Sequence, residues 1–93
     1  MKTDDQFIHP IRLIFAKNLR KIRRLKDISQ EALALEAEIS RAYISDIERG
    51  KRSLSIDVMG KLADALEVSI IDLLKYENAL PTPNSPDMYQ LNK

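Results

Sequence analysis

Residues 29–52, SQEALALEAEISRAYISDIERGKR, constrain the fold more than any other part of this 93-residue chain. They read as two short helices joined by a tight turn. Ser29 is a strong N-cap, and Glu31 places negative charge in the first turn, where the helix dipole favours it. Leu33, Ala34 and Ala37 then give the first helix one apolar face at three- and four-residue spacing. The chain turns at Glu38 and Ile39, and Ser40 caps a second helix whose inward face is Ile44 and Ile47. Gly50 stands just past its end, the usual place for a left-handed cap.

The second helix keeps Arg41, Ala42, Ser45 and Arg49 on its outward side, with Tyr43 near the edge. Long donors, small hydroxyls and a methyl are the groups that reach base edges in a major groove. Two short helices around such a turn form a helix-turn-helix. The strings SQEALA and EISRAYISDIERGKR resemble the lambda-repressor-like, or XRE-type, helix-turn-helix, and the resemblance runs from about residue 15 to residue 74. LRKIRRLKDIS is similar to that family's first helix and its junction, and SIDVMGKLADALEVSIIDLL to its two closing helices. Two positions depart from the pattern. Glu38 stands where relatives usually carry Gly, and Leu54 replaces a frequent Pro. The string ERGKRSLSI is more similar to the controller proteins of restriction–modification systems than to phage repressors.

That resemblance implies an all-α domain of five helices, binding duplex DNA in a sequence-specific way as a homodimer. Gln30 would hold the phosphate backbone, and Arg41, Ala42 and Ser45 would face the bases, with Arg41 reading guanine through two parallel donors. Arg49, Lys51, Arg52 and Ser53 suit phosphate contacts in the loop that follows. Ser29 and Ser40, at the two helix starts, complete the expected DNA-facing set. Tyr43 has two equal readings, a stack on the sugar–phosphate edge or a place partly in the core. The resemblance also implies that Arg23 pairs with Glu48, tying the first helix to the end of the recognition helix.

Charge divides along the chain. Through Arg52 there are twelve Lys and Arg against eight Asp and Glu; from Ser53 onward there are three against six. A basic half joined to an acidic half fits one face for a polyanion and another for something else. The chain has no Cys, so it has no disulfide framework and no thiolate metal site. The apolar stretch near the N-terminus is broken by His9, Pro10 and Arg12, and no run approaches membrane-spanning length. A cytoplasmic protein without membrane contact is expected.

Three segments follow: an extension over residues 1–10, one domain over residues 11–76, and a Pro-rich tail over residues 77–93. The first helix is expected over residues 11–26, with Phe15, Leu19 and Ile22 inward and Lys17, Arg20, Lys21, Arg23, Arg24 and Lys26 on the other faces. Ser55 caps the fourth helix, where Ile56, Met59, Leu62, Ala63 and Leu66 are apolar and Gly60 points to a close backbone contact. Ser69 and Asp72 make a capping-box start for the fifth, with Ile70, Leu73 and Leu74 closing the core. Relatives often place a polar residue where Ile71 stands, so Val68, Ile71 and Leu74 are the expected dimer contact.

Catalytic chemistry is missing from the pattern. His9 is the one histidine and reads as a surface residue, and the carboxylates fall at helix starts or on solvent faces rather than as an inward pair. Two glycines cannot build a phosphate-cradling loop. The chain is therefore expected to be no enzyme and to need no cofactor, metal or small-molecule ligand. A rival reading is an antitoxin-like, protein-binding module with secondary DNA contact, whose Pro-rich tail would wrap a partner; Met88, Tyr89 and Leu91 of that tail are also apolar enough to dock on a partner subunit.

Overall fold

The computed structural model describes residues 7–76. The expected tail contacts at Met88, Tyr89 and Leu91 lie outside the described residues, as do residues 1–6 and the rest of 77–93. Five helices follow one another: α1 (Pro10–Leu25), α2 (Gln30–Ala37), α3 (Arg41–Glu48), α4 (Ile56–Leu66) and α5 (Ile70–Leu74). No strand occurs among the described residues. α1 packs on α5 and α3, α2 lies against α3 and α4, and α4 meets α5. Leu19, Leu33, Ile44, Leu62, Leu66 and Leu73 are essentially inaccessible to water, one or two from each helix. Each helix thus contributes a leucine or isoleucine to one shared core, which no single helix of this length could bury alone.

Helix starts follow local chemistry closely. The Ser29, Ser40 and Ser55 hydroxyls accept from the backbone N–H groups of Ala32, Tyr43 and Val58 at 2.9, 3.0 and 3.1 Å. The Ser69–Asp72 capping box is present at α5. α1 begins at Pro10, one residue before expectation, because His9 serves as its cap: the Ile11 N–H donates to His9 Nδ1 at 3.0 Å. That exposed histidine is a helix cap rather than a bystander.

Helix ends repeat one device. Asp27, Glu38 and Glu67 all adopt left-handed backbone, with φ of 61, 60 and 60°. After each, a β-branched residue returns its N–H to the helix: Ile28 to the Arg23 carbonyl, Ile39 to Ala34, Val68 to Ala63, each at 3.0 Å. Ile28, Ile39 and Val68 then pack against the core. This pairing of a left-handed residue with an apolar anchor closes the orphan carbonyls. The Glu38 turn therefore keeps the geometry that relatives reach with Gly, at the cost of a side chain at positive φ. Gly50 is also left-handed, at φ +75°, as its position implied.

One expectation is corrected. Gly60 answers no close contact, since a Cβ placed there would meet nothing within 4 Å. Ile56 is largely exposed, because it sits at the first position of α4, on the edge of the buried stripe. Val68 and Leu74 are half-buried against the monomer's own core, leaving Ile71, at 68% exposure, as the residue of that trio that stands clear. An unexpected tie joins the ends of the domain: the buried Asn18 amide donates to the carbonyls of Leu73 and Lys75 at 3.1 and 2.7 Å.

Two substitutions test the backbone argument by chemical denaturation. Gly60→Ala is expected to stabilise the fold by about 0.5–1 kcal/mol, since a methyl in open space adds helix propensity without a clash. Glu38→Gly should relieve a left-handed cost of about 1–2 kcal/mol while adding about 0.5–1 kcal/mol of unfolded-chain freedom, for a small net gain. Destabilisation by either substitution would show that the site is held by something other than its backbone.

Candidate nucleic-acid interface

The candidate surface is built outward from one buried ion pair. Arg23, reaching from α1, donates through Nε to Glu48 Oε2 at 2.6 Å and through Nη2 to Oε1 at 3.0 Å. Its Nη1 donates to the Ile28 carbonyl at 2.8 Å, so the guanidinium also fixes the turn before α2. The side chains are only 10% and 3% exposed. Paired charges this dry must be fully hydrogen-bonded, and among the described residues no buried side-chain polar atom lacks a partner.

A chain of contacts then runs to the surface. Gln30 Nε2 donates to Glu48 Oε1 at 3.1 Å, and Gln30 Oε1 accepts from Arg41 Nη1 at 3.4 Å. The first residue of α2 thus links the end of α3 to its beginning. Arg41 and Ala42 are exposed and Ser45 is half-exposed, on the side of α3 opposite Ile44 and Ile47. Ser29 and Ser40 are exposed at the two helix starts, but each hydroxyl is engaged as a cap.

The second half of the surface centres on a residue absent from the expected set. Asp46 Oδ1 accepts from Arg49 Nη2 at 2.9 Å, and its Oδ2 accepts from Arg52 Nε at 3.4 Å. The Arg49 hydrogen bond, followed by that of Arg52, holds the Asp46 carboxyl below its ordinary range. The three-residue spacing between Asp46 and Arg49 was the available sequence signal; the Arg52 contact was not legible, because it crosses a loop. Arg52 also lies over the Tyr43 ring, 5.1 Å from its centroid. Tyr43 itself packs partly against the core, which is the second of its two readings. Arg12 Nη1 reaches the Gly50 carbonyl at 3.4 Å and steadies the loop carrying Lys51 and Ser53, both exposed.

A family model described as helix-turn-helix matches residues 19–73. The chain belongs to that helix-turn-helix family. It is 49% identical over 67 residues to the control protein C.BamHI of Bacillus amyloliquefaciens, covering 71% of this chain and 83% of that one. It is 34% identical to the control protein C.MunI of a Mycoplasma species, covering 71% and 90% of the two chains. Among solved structures, the restriction-modification controller protein C.AhdI from Aeromonas hydrophila matches with a TM-score of 0.67 at 35% identity, over 70% of this chain and 98% of that chain. This helix-turn-helix protein is a DNA-binding transcriptional regulator similar to controller proteins, and not an enzyme. No helix among its described residues is long and apolar enough to cross a membrane.

The ion pair gives this family member a measurable weak point. Glu48→Ala leaves the Arg23 guanidinium buried without its partner and is expected to cost about 3–5 kcal/mol. Replacing both groups, Arg23→Met with Glu48→Leu, should be clearly more stable than that single variant, because no buried charge is then left unpaired. Urea denaturation of the wild type and these two variants measures the difference.

Proposed function

We propose that the protein acts as a homodimer that reads a pseudo-palindromic operator and controls transcription within a restriction–modification system, its own gene included. The observation that carries this reading is the outward row of α3, held by the Arg41–Gln30–Glu48–Arg23 chain of contacts. A preorganised row loses less side-chain freedom on binding than a loose one. Arg41 is suited to guanine, Ala42 to a thymine methyl, and Ser45 to either kind of base edge. Gln30, Arg49, Lys51, Arg52 and Ser53 flank the row and suit phosphates, which position the protein without specifying sequence. The regulated target is inferred from the names of the similar proteins, two control proteins and one restriction-modification controller protein.

Dimerisation follows from the size of the module. One recognition helix covers few base pairs, and two copies about a two-fold axis would read half-sites with centres about 34 Å apart. Ile71 stands exposed on α5, beside the half-buried Val68 and Leu74, at the acidic end of the chain and away from α3 in sequence. That patch is the proposed contact between copies.

Operators selected from a random duplex pool supply the test. Arg41→Ala should lose about 1–3 kcal/mol on the operator and relax preference at one position per half-site. Arg52→Ala should weaken all sequences alike and reduce the salt slope by about one. Identical behaviour of the two variants would sink the assignment. Ile71→Asp should keep the helical content while splitting the dimer in sedimentation, and operator affinity should fall steeply as the second half-site ceases to bind as an intramolecular event. A dimer that persists with unchanged affinity places the interface elsewhere.

A further inference from the structure

Asp46 is a carboxylate on a helix face otherwise made of cations and small groups, and the reading of α3 as a base-reading helix does not use it. It follows Ser45 and lies four residues after Ala42, away from the buried Ile44, Ile47 and Glu48. Both of its oxygens are occupied, one by Arg49 at 2.9 Å and the other by Arg52 at 3.4 Å. The two arginine side chains are 57% and 51% exposed, so these pairs contribute little to folding. Their consequence falls on what the surface presents to a polyanion.

Resting on the reading of α3 as the base-reading helix, we propose that Asp46 sets the sequence selectivity of this surface. In the free protein its carboxylate occupies Arg49 and Arg52, so part of their charge is withheld from duplex of any sequence. Phosphate oxygens that take these donors leave the carboxylate close to a row of phosphodiesters. That is unfavourable unless its oxygens find new donors. Along a major groove the base-edge donors are amino groups, N4 of cytosine and N6 of adenine. A duplex offering one in register satisfies Asp46; any other leaves an unpaired, partly desolvated anion in the interface. Arg52 does not swing freely once released, because the Tyr43 ring lies beneath it. The selectivity device is therefore repulsive, in contrast to the attractive reading by Arg41.

The experiment uses the whole protein and the operator selected by the wild type. Asp46→Ala removes charge and acceptor together; Asp46→Asn keeps the shape without the charge and guards against a local folding effect in the first variant. Affinities for the operator and for random duplex are measured across a salt series, with thermal midpoints beside them. Both variants are expected to bind random duplex roughly tenfold more tightly, and the operator-to-random ratio should fall at least tenfold for Asp46→Ala. The salt slope on random duplex should steepen by about one, with midpoints unmoved. An equal loss of affinity on both duplexes would mean that Asp46 only orients the arginines, and an unchanged ratio would mean that it does nothing for selectivity; either overturns the proposal. Failure of the wild type to select any sequence would instead overturn the reading of α3, and the proposal with it.

Discussion

Arg23 and Glu48 hold opposite charges where water scarcely reaches, and their demands organise the protein around them. An ion taken out of water needs every donor and acceptor matched, or the desolvation cost outweighs the attraction. Arg23 meets that demand by spending its fork on both Glu48 oxygens and its remaining arm on the Ile28 carbonyl. Those three contacts join the end of α1, the turn into α2 and the end of α3. The pair is poor evidence for net stability, since apolar residues of similar volume would often do as well. What it supplies is registry: a slip of α3 along α1 would strand a buried charge.

That registry is passed outward through weaker links. Gln30 uses its amide nitrogen on Glu48 and its amide oxygen on Arg41, so a surface arginine inherits its placement from the interior. On the other half of α3, Asp46 gathers Arg49 and Arg52 on the surface itself, with the Tyr43 ring as a floor. The two halves differ in kind. Arg41 is restrained by a neutral amide and keeps its full charge for a ligand, whereas Arg49 and Arg52 are restrained by an opposite charge that any phosphate must displace. The eight-residue α3 and the loop after it thus carry one cation held by a neutral amide and two held by an opposite charge.

Much of this was legible because it is local. Capping chemistry depends on residues within one turn, so Ser29, Ser40, Ser55 and the Ser69–Asp72 box could be placed from the string alone. Apolar spacing likewise located the core faces of every helix. The left-handed ends were only partly legible. Glu38 stands out because relatives carry Gly there, while Asp27 and Glu67 do the same work under an equally acidic side chain. The common sign was the β-branched residue that follows each, which the core then anchors. Glutamate is a poor marker of positive φ, and it is the packing of Ile28, Ile39 and Val68 against the core that holds these turns.

The sequence by itself determined the five helices, their inward faces and the outward row of α3, since helix periodicity and caps act over a few residues. The Arg23–Glu48 contact, twenty-five positions apart, came from resemblance and not from spacing, because nothing local links those side chains. Tertiary structure alone decided which apolar residues the core has room for. It took in Val68 and Leu74, left Ile71 and Ile56 in water, and gave Gly60 no neighbour. It also decided the partners of the long polar side chains. Arg52 meets both Asp46 and Tyr43 because the loop after Gly50 folds back across α3, and Asn18 meets α5 because the last helix returns to the first. Such contacts depend on where distant segments come to rest, and the packing of a shared core sets that.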